Sequence, residues 1–415
     1  MLHTLSGKYS LLDSEIEHDP YSFYKILRTE APVYWDEKLQ VWLVSRYTDV
    51  NHLLSDRRIM TVFESISPDD IERKPRRQLW EMLSKTLFYR ELSSHSHLRL
   101  PLERAFKHHI KVLPARIEEI VNNLLDEVQD RGHIDIASEL SEPLPLQIFT
   151  ELLGVPVEDG VYLKQWGFSL LRFFGSIQTT PQEDEQLLKD MLAITEYFSK
   201  LAEQRSQKPK DDLITELIGG AERIEDLNKQ EFIVQTGMML TAGIVVATFP
   251  ISTGLLALLR NPDQMQKLKQ DPTLIGSAIE EILRYESSSQ WIVRRAKENI
   301  ELHDQLIQKD QLVLLGLGSA NRDEAQFSNP DQLDINRKDN RHLGFSHGPH
   351  SCLGAPLFRM IAPVAINGIL HRLGELRLNA NIPPEWLHGS SVRRVLKSLP
   401  VNFEANSSSA TSFSQ

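Results

Sequence analysis

The stretch that decides the reading of this chain is Gly344–Pro356, GFSHGPHSCLGAP. It holds Cys352, the only cysteine in 415 residues, among three glycines, two prolines and two histidines. Glycine and proline at this density specify unusual backbone geometry. The end of the stretch, SCLGAP, reads as a loop entering a helix, whose first N–H groups would point at the sulfur and stabilise a thiolate. A solitary cysteine can also be an inert small hydrophobe, or a nucleophile with a base brought close by the fold. The surroundings favour a third role. Thiolate ligation is a standard way to hold heme iron, and Gly348 and Gly354 would let the backbone approach a large flat group closely.

Outward from this loop, the composition is that of a globular protein with a large core: 41% hydrophobic and 25% charged residues. A net charge of −11 argues against nucleic-acid binding. One cysteine excludes an intramolecular disulfide and multi-thiolate zinc sites. The N-terminus lacks the basic start and apolar core of a signal peptide, so a cytoplasmic location is expected. Phe232–Leu259 carries no charge and would pass a hydropathy test for a membrane span. Its threonines, glycines and Pro250, the charges at both ends and the lack of a second span favour a buried central helix and no membrane association.

Along the chain, helical spacing dominates. Asp19–Pro20 opens one helix as N-cap and first residue, Val33–Trp35 and Val41–Val44 read as a hairpin, and helical periodicity runs from Ser94 to Leu153 with a break at Arg131–Asp135. Past Ser287, short β-rich runs alternate with polar turns. Residues 328–352 are turn-rich and nearly aperiodic. The fold class expected is mainly α with small β-sheets, one domain over residues 1–405, with 406–415 as a polar disordered tail.

The phrase FSHGPHSCLG (Phe345–Gly354) resembles the heme-binding loop of cytochromes P-450, which fixes Phe, Gly, a basic residue, Cys and Gly across ten positions. EEILRYES is similar to that family's Glu-x-x-Arg motif, as Glu281 and Arg284, and SSHSHLRLPLERAF to its His-x-x-x-Arg motif, as His95 and Arg99. Further likenesses in ELLGVPVED, LLALLRNPDQ and GSANRDEAQFSNPDQLD extend over nearly the whole chain. The resemblance implies the cytochrome P-450 fold, with a long central helix over a buried heme b. It implies Cys352 as axial iron ligand, Phe345 beside the sulfur, and His95, Arg99, Arg294 and His350 at the heme propionates. Glu281 and Arg284 would form a structural ion pair behind the heme; by spacing alone they read equally as a surface pair.

One departure from the family bears on reactivity. Ala242 and Gly243 match its small pair on the distal helix, but the acid and threonine that usually follow are Val245 and Val246 here, and neither can relay a proton. Thr248 is about 200° round the helix from Val246 and should face away. Pro250 lacks an N–H, so the Val246 carbonyl loses its helical donor and becomes a possible holder of water or of a substrate hydroxyl. The resemblance implies a heme-thiolate monooxygenase acting on a mid-sized, partly apolar small molecule in secondary-metabolite biosynthesis, free or tethered to a carrier protein. The pocket is expected to include Trp166, Phe173, Met239, Ile292 and Val392. Ferredoxin and ferredoxin reductase would supply electrons, docking near Arg104, Lys107 and Arg359. The valine pair keeps open a heme-thiolate enzyme without ordinary oxygen activation: a peroxygenase, or a catalyst of rearrangement, dehydration or radical coupling.

Overall fold

The uncharged run is the middle of a 32-residue helix, Lys229–Arg260, about 48 Å long at 1.5 Å per residue. The structure, a computed structural model, describes residues 8–61, 74–90, 92–174, 180–221, 228–388, 390 and 392–405; the expected tail at 406–415 lies outside them. This is the one helix among the described residues apolar and long enough to cross a membrane, and 72% of its most apolar window is buried inside the protein. It packs against the helices Pro143–Leu153, Gly160–Phe174 and Pro181–Gln207. Gly167 permits one of these approaches, because a Cβ there would lie 2.6 Å from the Val245 side chain and 2.7 Å from the Thr241 carbonyl oxygen.

Local signals end the helices where the sequence suggests. Asp19 caps Pro20–Glu30 by accepting from the Tyr21 N–H at 3.3 Å. Thr180 and Glu183 form a reciprocal capping box at the start of Pro181–Gln207. The expected hairpin is Val33–Asp36 paired antiparallel with Val41–Val44, Trp35 opposite Trp42. It joins a five-stranded sheet in which Val41–Val44 runs parallel to Leu312–Gly316, followed by Trp291–Ala296 and Ile59–Met60. The break at Arg131–Asp135 turns out to be a strand, His133–Asp135, paired with Pro400–Asn402 near the other end of the chain.

Glu281 and Arg284 anchor the irregular region. They lie on the helix Ile275–Tyr285, and both side chains are fully buried, which excludes the surface-pair reading. Arg284 donates twice to Glu281, at 2.8 Å each, and to the carbonyls of Asn321, Pro330 and Gln332. Glu281 also accepts from Arg337, Asn340 and the Asp334 N–H. The aperiodic stretch is therefore ordered by one buried ion pair that gives its backbone the hydrogen bonds a helix or sheet would otherwise supply.

Candidate active site around Cys352

The cysteine loop is held by its own backbone. The Cys352 N–H donates to the Phe345 carbonyl at 2.9 Å, and Ser351 N–H to Gly348 at 3.0 Å. Gly348 has φ +76°, and a Cβ there would sit 2.7 Å from Ser55 Oγ and 2.8 Å from the Leu54 carbonyl, so both conformation and space demand glycine. The loop feeds the helix Ala355–Arg372, and the N–H groups of Gly354 and Ala355 bond the sulfur. Burial pushes the Cys352 thiol up, while these N–H groups and the charges of Arg99 and Arg393 pull it down; burial prevails. The side chain is nevertheless exposed by area. Cys352 borders a cleft together with Arg99, Phe345 and Arg359.

Basic groups converge on the same loop. Arg99, on the helix Leu92–Ile110, donates to the carbonyls of Pro349 and Ser351 at 3.1 and 2.8 Å. His95, one turn earlier and buried, places its ring 4.3 Å from that of His350. Arg294 stays on the sheet, where it donates to the Val293 carbonyl at 2.9 Å and its charge acts on the half-buried Tyr89. Phe345 packs edge-on against Phe358, with the Arg359 guanidinium 4.8 Å above its ring. A thiol with two N–H donors, two adjacent imidazoles and the Arg99 guanidinium is a donor set that suits a ring carrying an axial metal and carboxylates. The residues fit a heme.

The comparisons with known proteins agree. The family model described as Cytochrome P450 matches residues 40–375. The chain belongs to the cytochrome P450 family. Its cofactor is accordingly heme b and its activity that of a P450 monooxygenase, which draws electrons from redox partners. Among similar proteins are a biotin biosynthesis cytochrome P450 of Bacillus subtilis (strain 168), 34% identical over 95% of this chain and 99% of that one, and the polyketide biosynthesis cytochrome P450 PksS of the same organism, 32% identical over 94% and 96%. The solved structure of P450BioI in complex with hexadec-9Z-enoic acid ligated acyl carrier protein has a TM-score of 0.86 at 33% identity, covering 94% of this chain and 99% of that one.

On the central helix of this P450, Met239, Gly243, Val246, Ala247 and Pro250 are less buried than their neighbours, and at 100° per residue they share one face. Ala242 is buried just beside it. Val246 therefore belongs to the open stripe, whereas Val245 turns away towards Gly167, Leu171 and Phe249. Thr248 lies on the far face, buried, with its hydroxyl donating to the Val245 carbonyl at 2.8 Å. Thr241, Ser252 and Thr253 likewise donate to carbonyls of their own helix. The helix runs unbroken through Pro250.

Two expected pocket residues face elsewhere. Trp166 is buried against the neighbouring helix, stacked on Tyr162 and edge-on to Tyr197 at 5.6 Å, because the side of its helix that meets the central helix is the Gly167 side. Val392 is buried in a core cluster with Tyr24 and Trp291, since alternation along its strand turns Arg393 and Val395 inward instead. Met239 borders a small cavity with Leu98, Leu102 and Gln235, while Phe173 and Ile292 are partly buried against core clusters. Sequence reasoning expected the Val392–Leu396 run at the pocket but singled out Val392 in it rather than Arg393.

Reasoning from sequence also passed over Glu280, which accepts both Arg359 Nε and Nη2, at 2.7 and 2.8 Å. His342 adds a bond from Nε2 at 2.9 Å, and its Nδ1 accepts the Gly344 N–H, which fixes the ring proton on Nε2. Burial raises the Glu280 pKa, but these partners outweigh it and hold the group at about 2, against an ordinary 4.5. A depressed carboxylate stabilises the fold above its unfolded pKa, and that contribution disappears as pH falls through the folded value. Glu280→Gln should therefore cost up to about 3 kcal/mol at neutral pH. The gap to wild type should close between pH 4.5 and about 2, as measured by denaturant unfolding across pH.

Proposed function

We propose that this P450 hydroxylates or epoxidises a mid-sized, partly apolar small molecule in bacterial secondary-metabolite biosynthesis, in the cytoplasm, with electrons from a ferredoxin and its reductase. Similarity to relatives in biotin and polyketide biosynthesis supports the substrate class, and the carrier-protein complex of a similar enzyme keeps tethered delivery in view. When bound, heme activates oxygen for insertion into the substrate. Cys352 would hold the iron, His95, Arg99, Arg294 and His350 would pair with the propionates, and Gly354 would admit the ring. A surface cleft of about 350 Å³ at the cysteine loop is lined by Arg99, Glu103, Lys107, Cys352 and Arg359. With the exposed Arg104 it offers an acidic electron carrier a basic approach.

The observation that carries the reading is Cys352 at the entry of a helix, in a loop to which Arg99 donates and on which the rings of His95 and His350 meet. A carbon-monoxide difference spectrum of the reduced protein tests it, and absence of the red-shifted thiolate band would sink it.

Proton handling is where this chain departs from its family. Val246 sits on the open stripe where an alcohol is usual, and four nearby hydroxyls are committed to helix carbonyls. The Val246 carbonyl, which has no proline N–H to bond, is positioned to hold water or a substrate hydroxyl, so that the substrate assists proton delivery. Pro250→Ala restores that N–H. It is expected to lower the fraction of consumed reductant recovered as product several-fold with little change in substrate affinity; unchanged coupling overturns the assignment. The same valine pair supports a second reading, a peroxide-driven enzyme. Turnover with peroxide alone that matches or exceeds turnover with oxygen, ferredoxin and reductase would select it.

A further inference from the structure

Arg393 is the cation on the central-helix side of the extended segment Val392–Val395, which packs against that helix through Val395. Its backbone pairs with Ser289 in an antiparallel bridge, flanked by Arg394 N–H to Ser288 O and Gln290 N–H to Val392 O, both 2.9 Å. Successive side chains of an extended segment point to opposite sides. Val392 lies in the core with Trp291, and Arg394 turns the same way, donating to Glu286 at 2.7 Å with its guanidinium 3.7 Å over Trp386. Arg393 and Val395 face the other way, and Val395 packs against Val245, Phe249 and Leu171, with Val246 alongside. Arg393 therefore lies on the side of this segment that meets the Val245–Val246 turn of the central helix, and the charge of the Cys352 sulfur reaches it.

Its hydrogen bonding is incomplete. Nη1 donates to Ser289 Oγ, while Nε is buried and makes no hydrogen bond. The four arginines buried among the described residues, Arg28, Arg205, Arg284 and Arg322, each pair with a carboxylate, Glu324, Asp212, Glu281 and Asp331. Among the described residues no carboxylate pairs with Arg393, and burial works against its charge. A desolvated cation without a counter-ion is costly until an anion joins it. The edge left over, Nε with Nη2, is the fork that binds a carboxylate through two parallel bonds.

We propose that Arg393 anchors a carboxylate of the substrate, so that this enzyme acts on a free carboxylic acid rather than on an acyl group esterified to a carrier. The proposal rests on the reading of this space as the substrate site of a heme enzyme. It also places an ionisable group beside Val246, where the helix itself has none.

The test uses the heme-loaded protein and ω-(imidazol-1-yl)alkanoic acids of graded chain length, each paired with its methyl ester. The imidazole ligates the iron whatever the natural substrate, and binding is read from the red shift of the Soret band. At one or more chain lengths the acid should bind at least about 30-fold more tightly than its ester. Arg393→Met should abolish that preference, Arg393→Lys should keep part of it, and heme dissociation should be unchanged in both. Equal affinity for acid and ester at every length overturns the proposal, as does an acid preference that survives Arg393→Met. Faster heme loss in Arg393→Met would overturn it too, by assigning the residue to the propionates. If the heme-site reading itself is wrong, the outcome is different: no thiolate band with carbon monoxide and no Soret shift with any imidazole.

Discussion

Cys352→Ser is expected to eliminate the red-shifted carbon-monoxide band and to lower turnover at least about 100-fold, while leaving the fold intact. The loss follows from ligand chemistry. A serine hydroxyl ionises far less readily than a thiol and is a harder, weaker donor to iron, so the electron density that thiolate ligation supplies is lost. The fold should survive because the loop is not held by the sulfur. Its closing bond is between backbone groups, Cys352 N–H to Phe345 O, and its sharp turn belongs to Gly348. Thermal unfolding of the apoprotein should change by no more than about 1 kcal/mol, the range for a conservative exchange outside the packed core. A variant that keeps the thiolate band would remove Cys352 from the iron.

Arg284→Met should be the most damaging single change to stability, costing about 3–5 kcal/mol. Removing the guanidinium leaves Glu281 wholly buried with one cation, Arg337, where it had two. It also strips donors from the carbonyls of Asn321, Pro330 and Gln332. The irregular chain between Asn321 and Cys352 depends on those bonds, so heme retention should fall together with stability. Denaturant unfolding and heme content of the purified variant check this. The double variant Glu281→Gln/Arg284→Met should recover part of the loss by removing the stranded charge, but not the part that belongs to the carbonyls. A cost below about 1 kcal/mol for Arg284→Met would mean that the pair orders nothing.

Several features were legible in the sequence for identifiable reasons. The N-cap at Asp19, the hairpin at 33–44 and the glycine-dependent turn at 348 are local, and the side chains involved carry the information themselves. Pairings across long sequence separations were not legible. Nothing in Arg131–Asp135 announces a strand whose partner is Pro400–Asn402. Glu281 and Arg284 have the spacing of a routine surface pair, and only the chain wrapped around them makes that pair a buried one.

The same boundary runs through the active site. By itself the sequence determined which cofactor is held and the long apolar helix set against it, because a lone cysteine in a glycine-rich helix entry and a charge-free run are chemical facts of short segments. Only the tertiary structure decided which side chains face the reacting space. It turned Val246 in and Val245 out, sent Trp166 to the neighbouring helix, buried Val392 in the core, and brought Arg393 inward. The reason is geometric. A rotation of 100° on a helix, or a single step along a strand, reverses what a residue can touch, and the packing partners that fix that phase lie on other elements, tens to hundreds of residues away.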